Sequence, residues 1–189
     1  MTFKNDAGFL EVICGCMFSG KTEELIRVLK RSYIAKQNIL VFKHASDVRY
    51  SYQEICSHNG HKVSAHLIEN TREIFKHDLS EVDLIGIDEV QFFAENIVED
   101  IQKLLDRKIR VVTAGLDMDY RKKPFGYIPE ILAMANKFTK LTAICTQCGS
   151  DAYYSQRLIK KNDIVLVGAA ESYEPRCALH HTIPELIHN

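Results

Sequence analysis

A parallel α/β fold is predicted by three features of this 189-residue sequence. Apolar runs of strand length alternate with helical patterns from Phe9 to about Lys140, the pattern of a parallel sheet covered on both faces. The first run passes at once into a glycine-bounded turn and a helical pattern. A later run ends in two adjacent carboxylates, Asp88 and Glu89.

The expected strands are 9–14, 38–43, 83–88 and 109–114. After the first, Glu23, Glu24, Leu25, Ile26, Val28 and Leu29 continue a helix that ends in the cationic pair Lys30-Arg31, charges suited to a helix C-terminal half. Between the last two strands, Ile97, Val98, Ile101, Leu104 and Leu105 recur at helical spacing, an amphipathic helix packed on the sheet. From Ala45 to Ile68 the pattern gives way to polar, histidine-containing sequence, and Asn59-Gly60 inside it is a hairpin-turn signal for a projecting β-ribbon. His44, His58, His61 and His66 in this region have the spacing of no closed metal site and read as loop histidines. Composition changes after Thr142, which divides the chain into 1–142, an α/β domain, and 143–189, a small appended unit.

Composition narrows the function classes. The chain is 46% hydrophobic and 26% charged, a balance that supports a buried core, and its net charge of −1 gives little attraction for a nucleic-acid backbone or an anionic membrane. A small-molecule or single-protein partner is expected instead. No apolar run approaches the roughly 18 residues of a membrane span, and Met-Thr-Phe-Lys-Asn-Asp at the start lacks a signal peptide's apolar stretch, so a cytosolic protein is expected. In that compartment the six cysteines read as thiols or metal ligands rather than disulfides.

The turn after the first strand reads Gly15, Cys16, Met17, Phe18, Ser19, Gly20, Lys21, Thr22, a complete G-x-x-x-x-G-K-[ST] phosphate loop between strand and helix. Its two glycines let the backbone curl so that successive N–H groups face phosphate oxygens, and the following helix adds its positive N-terminus. Lys21 would reach the outer phosphates of ATP, and the Thr22 hydroxyl would hold the accompanying Mg²⁺. A strand-terminal Asp beside such a loop also holds Mg²⁺, which points to Asp88. Glu89 then stands where an ionised carboxylate can accept a proton, from water in an ATPase or from a substrate hydroxyl in a kinase.

Cys145-x-x-Cys148 and Cys177-x-x-His180 are two pairs of soft ligands, each with the gap that lets both side chains meet one tetrahedral Zn²⁺. Four protein ligands leave no open position, so the metal is structural and turns 149–176 into a loop pinned at its base. His181 is adjacent and is the alternative fourth ligand; spacing favours His180.

These motifs in this order resemble the zinc-containing thymidine kinase family. The resemblance rests on the phosphate loop, Asp47-Val48-Arg49-Tyr50-Ser51, Gly86-Ile87-Asp88-Glu89-Val90-Gln91-Phe92-Phe93, Gly115-Leu116-Asp117-Met118-Asp119-Tyr120-Arg121 with Lys123-Pro124-Phe125-Gly126, and the two metal-ligand pairs. Cys16 stands where many members carry proline, and Tyr120 where they carry phenylalanine. The resemblance implies a phosphate-loop NTPase sheet of the RecA-like type with a C-terminal zinc-binding lasso, and ATP-dependent phosphorylation of the 5′-hydroxyl of thymidine. It also implies a catalytic base at Glu89, a phosphate-binding Lys21, and Arg49 near the transferring phosphate. The implied nucleoside pocket comprises Met17, Phe92, Leu116, Tyr120, Phe125, Ser155 and Tyr173. A homotetramer and feedback inhibition by thymidine triphosphate follow from the same resemblance. Two rival readings are a nucleic-acid-dependent ATPase, since Asp88-Glu89-Val90-Gln91 also resembles a helicase motif, and a non-enzymatic zinc-ribbon adaptor. A helicase motor needs two such domains and a stronger positive field, and the intact pair of Lys21 and Glu89 weighs against an adaptor.

Overall fold

The computed structural model describes residues 7–46, 54–56, 62–159 and 172–183. The chain runs β1 (Phe9–Gly15), α1 (Lys21–Ile34), β2 (Ile39–His44), β3 (Glu54–Cys56), β4 (Lys62–Ser64), β5 (His66–Ile68), β6 (Leu84–Asp88), α2 (Asn96–Asp106), β7 (Arg110–Gly115), α3 (Ile128–Met134) and β8 (Lys137–Leu141). It continues through β9 (Ala143–Ile144), β10 (Asp151–Ala152), β11 (Tyr154–Arg157) and β12 (Tyr173–Arg176). Six strands form one sheet in the order β5-β2-β6-β7-β1-β8, with every neighbouring pair parallel. This is the phosphate-loop type of α/β fold expected from the sequence.

Alternation along the central strands decides which helix covers which face. Ile13, Leu84, Val112 and Ala114 point to α1, where Leu25, Ile26, Val28 and Leu29 close one core. Val12, Ile85, Ile87 and Val111 point the other way and pack with Ile97, Ile101 and Leu104 of α2 and Ile128 and Ile131 of α3. Gly86 lies close under α1, since a β-carbon there would stand 3.0 Å from the Leu29 side chain. Both faces of β1, β6 and β7 are therefore dry, which is why they read as nearly continuous apolar runs.

All four expected strands are present within one residue at each end, and α1 runs three residues past Arg31. Two sheet strands were not expected. Residues 66–68, read as part of the polar excursion, form β5 and pair parallel with β2, and β8 forms the far edge beside β1. The polar excursion does contain an antiparallel pair, β3 with β4. Its turn residues Asn59 and Gly60, with His58 and His61, lie outside the described residues. His44 and His66 are strand residues rather than loop histidines: the His44 ring meets Phe93 edge-on at 4.7 Å, and the His66 ring packs on Phe42 at 5.5 Å and His77 at 4.5 Å. No described helix is long and apolar enough to cross a membrane.

Glu11 braces this sheet from inside. Its buried carboxylate accepts from Arg110 of β7 and Lys137 of β8, each at 2.6 Å, so β1 is tied to both its neighbours. Burial pushes the Glu11 carboxyl up, but the hydrogen bonds from Lys137 and Arg110 outweigh it and hold it below the ordinary carboxylate value. A lowered folded-state pKa means this contribution is complete above the unfolded value and is lost as pH falls through the folded one. Glu11→Gln is expected to destabilise the fold at pH 7 by about 1–3 kcal/mol, with the difference from the parent shrinking below about pH 4. Thermal denaturation of both proteins at the two pH values checks this; a constant difference would remove Glu11 as the cause.

Candidate active site and metal-binding cluster

The phosphate loop leaves β1 through a turn with no room for a side chain. Gly15 has φ 148°, and a β-carbon on it would stand 2.4 Å from the Leu141 carbonyl oxygen. Ser19 Oγ donates to the Cys16 carbonyl at 2.8 Å, and the Lys21 ammonium donates to the same carbonyl at 2.8 Å. Gly20, at φ 83°, is the left-handed N-cap of α1, and Glu23 and Glu24 occupy the helix's positive first turn. Phe18 also has a positive φ, 66°, so the loop carries left-handed backbone at a residue that disfavours it.

Opposite the loop, Thr22 Oγ1 donates to Asp88 Oδ2 at 3.4 Å, which brings together the two oxygen-bearing groups expected to hold Mg²⁺. A hydroxyl and a carboxylate converging beside a phosphate loop form the hard donor set that this ion takes. Glu89, at φ 53°, is left-handed, and its own N–H donates to Asp88 Oδ1 at 3.0 Å. That backbone reversal sends the two neighbouring carboxylates to different partners. The Glu89 carboxylate is buried and accepts from Gln91 Nε2 at 2.6 Å, and Gln91 Oε1 in turn accepts from the Leu116 N–H at 3.0 Å.

Gln91 was not singled out from the sequence, although it lies two residues beyond Glu89. Its environment appears only in the fold: a β-carbon at Gly115 would stand 2.6 Å from Gln91 Oε1, and one at Gly126 would stand 2.4 Å from the Gln91 carbonyl oxygen. Lys43 was missed as well. It is a fully buried lysine of β2 in direct register with Asp88.

The expected nucleoside residues fall into linked groups. Phe92 and Phe125 meet edge-to-face at 5.9 Å, just beyond Glu89. Phe125 and Tyr120 share the loop 117–125, closed by a bridge between Met118 and Pro124 and by the Phe125 N–H to Asp117 carbonyl bond at 3.1 Å. Ser155 Oγ accepts from the Met17 N–H at 3.0 Å, which joins β11 to the phosphate loop. Tyr173 lies on β12, opposite β11. Arg49 lies outside the described residues, as do 160–171 of the loop 149–176.

Cys145, Cys148, Cys177 and His180 come together with all ligand atoms within 4.8 Å of one another. Cys148 Sγ and Cys177 Sγ are 3.7 Å apart, and His180 Nδ1 lies 3.3 Å from Cys177 Sγ and 3.8 Å from Cys145 Sγ. Tetrahedral zinc with ordinary bond lengths spaces two sulfurs by about 3.8 Å and a sulfur and a nitrogen by about 3.6 Å. The cluster fits one structural zinc ion. Burial pushes the Cys145 thiol up, yet backbone N–H groups of Cys177, Gln147 and Cys148 outweigh it, and with His180 they leave it lowered to about 5. His181 does not join the cluster. It is buried with both ring nitrogens unpaired, packed 5.3 Å from the Tyr154 ring.

Cys16 links the two centres. It is buried with Ala143, Cys145, Ala152 and Cys177, and its thiol donates to the Ala152 carbonyl at 3.3 Å. Burial is the chief cause that pushes this thiol up and keeps it protonated.

The family model for thymidine kinase matches residues 8–181, nearly the entire chain and both centres. The chain belongs to the thymidine kinase family. That family is a family of kinases that use ATP, so the phosphate loop, the paired carboxylates and the cysteine-histidine cluster are parts of one enzyme rather than of an adaptor or a DNA motor.

Metal analysis of the purified protein is expected to find about one zinc per chain. Cys148→Ser should lose it and increase cleavage of the 149–176 segment by added protease. Full zinc content in a protein carrying both Cys145→Ser and Cys148→Ser would rule out this cluster as the site.

Proposed function

We propose that this protein transfers the γ-phosphoryl group of ATP to the 5′-hydroxyl of thymidine, giving thymidine monophosphate and ADP. The observation that carries the reading is the separation of Asp88 and Glu89. Asp88 meets Thr22 of the phosphate loop, while Glu89 is turned by a left-handed backbone onto Gln91, beside Leu116 and the Phe92–Phe125 pair. One carboxylate serves the phosphate side and the next serves a substrate hydroxyl.

In this reading the loop Gly15, Cys16, Met17, Phe18, Ser19 and Gly20 wraps the phosphates with its backbone N–H groups, except that of Met17, which Ser155 takes. Lys21 exchanges its bond to the Cys16 carbonyl for the outer phosphates. Thr22 and Asp88 would hold Mg²⁺, which would neutralise phosphate charge. Glu89 takes the proton of the 5′-hydroxyl as its oxygen bonds to the γ-phosphorus and the bond to the β,γ-bridging oxygen breaks. Gln91 keeps the Glu89 carboxylate in place for that transfer. Arg49 offsets charge on the transferring group, by resemblance to the family. Met17, Phe92, Leu116, Tyr120, Phe125, Ser155 and Tyr173 form the nucleoside pocket, closed by the 149–176 segment. Inhibition by thymidine triphosphate, assembly as a homotetramer and a cytosolic location belong to the same proposal.

The direct assay follows ATP consumption with thymidine, with single-stranded DNA and with neither. Only the thymidine arm is expected to consume ATP and yield the monophosphate; stimulation by DNA alone would overturn the reading. Glu89→Gln keeps shape and loses the acceptor, so turnover should fall on the order of 10²–10⁴ while both substrates still bind. Lys21→Ala should instead weaken ATP binding and turnover together. A Glu89→Gln enzyme with more than about a third of parent turnover would exclude Glu89 as the base.

A further inference from the structure

We propose that Arg157 is the positioning residue for thymidine binding, by holding Tyr120 and Tyr173 together as one rigid wall of the nucleoside pocket. The inference rests on the thymidine kinase reading above, which assigns roles to both tyrosines and none to Arg157. Arg157 is buried at 2% exposure, and its guanidinium carbon stands 3.7 Å from the centroid of the Tyr120 ring, a close cation–π stack. Its Nε donates to Tyr173 Oη at 3.1 Å, and its Nη2 donates to the same oxygen. One guanidinium therefore fixes the face of one ring and the hydroxyl of the other.

The backbone makes this arrangement specific. Arg157 and Tyr173 are directly opposite in the β11–β12 ladder, the last cross-strand pair before the chain leaves it. Ser155, two residues earlier and so on the same face of β11, accepts from the Met17 N–H of the phosphate loop. A single strand face thus carries one contact to the phosphate side and one to both tyrosines. Two N–H groups of Arg157 occupy the acceptor capacity of Tyr173 Oη, so the phenol can only donate its own proton to a further group. Such a donor suits a carbonyl or ether oxygen of a pyrimidine nucleoside and does not suit an amino group. Lysine cannot reproduce this, because its single ammonium offers neither the planar stack nor the fork.

The test compares thymidine and ATP kinetics for the parent, Arg157→Lys, Arg157→Gln, Tyr173→Phe and the Arg157→Gln/Tyr173→Phe double variant, with zinc content and melting temperature measured for each. Arg157→Gln is expected to raise the KM for thymidine about tenfold or more and leave that for ATP within about twofold, with Arg157→Lys recovering less than half of the loss. If Arg157 acts through the tyrosine hydroxyl, adding Arg157→Gln to Tyr173→Phe should raise the thymidine KM by less than about threefold further. A thymidine KM within twofold of the parent in Arg157→Gln, an equal rise for both substrates, or full additivity in the double variant would overturn the proposal. If Arg157→Gln fails to fold, the Arg157→Lys and Tyr173→Phe enzymes carry the test: parent-like thymidine KM in both would overturn it. A parent enzyme that does not phosphorylate thymidine would instead remove the function reading itself, so the two failures are distinct.

Discussion

The crowded turn at Gly15 is the constraint on which the rest of the site depends. A phosphate loop must expose its N–H groups, so its outer side has to be supported by something other than its own side chains. Here the support is the end of β8: the Leu141 carbonyl lies where a β-carbon of Gly15 would be. The chain runs from that carbonyl into β9 and the first two metal ligands, and Cys16 of the loop is buried among Ala143, Cys145, Ala152 and Cys177. The metal cluster and the phosphate loop therefore share one small core. Zinc at this position would do more than stabilise an appendage, because the residues that would hold it pack against Cys16 of the phosphate-binding turn.

A second strained point sits across the loop. Glu89 is a non-glycine residue at φ 53°, a conformation that costs on the order of 1 kcal/mol and persists only where neighbours enforce it. The enforcement is local and complete. Glu89 N–H is taken by Asp88, its carboxylate by Gln91, and Gln91 is in turn fixed by the Leu116 N–H at the end of β7. Gly115 and Gly126 leave the space that Gln91 fills, so glycines far apart in sequence serve one glutamine. The strain has a chemical use, since without the reversal both carboxylates of Asp88-Glu89 would not reach separate partners.

How far the sequence could be read follows from these same contacts. The central strands were legible because both their faces are buried, which leaves an uninterrupted apolar run. β5 has three residues, and β8 reads Lys-Phe-Thr-Lys-Leu, an edge strand with Phe138 66% exposed and its lysines paired with Glu11 and Asp117; neither carries an apolar run. The phosphate loop, Asp88 and the four metal ligands were legible because their spacing is the chemistry. Gln91 and Arg157 were not, since their contacts, to Leu116 and to Tyr120, depend on how separate elements pack. Glu11 belongs with them: an acidic residue inside an apolar strand is explained only by Arg110 and Lys137 arriving from its two neighbours.

The order of these supports along the chain ties the metal cluster to the phosphate loop. The segment between β11 and β12 leaves from a short antiparallel ladder whose lower end is fixed by Cys145, Cys148, Cys177 and His180 and whose upper end is the Arg157–Tyr173 pair. Strand β11 also reaches the phosphate loop, since Ser155, two positions before Arg157, accepts from the Met17 N–H. The buried arginine and the two rings beside it are therefore joined, through one strand, to the phosphate-binding turn at one end and to the metal cluster at the other.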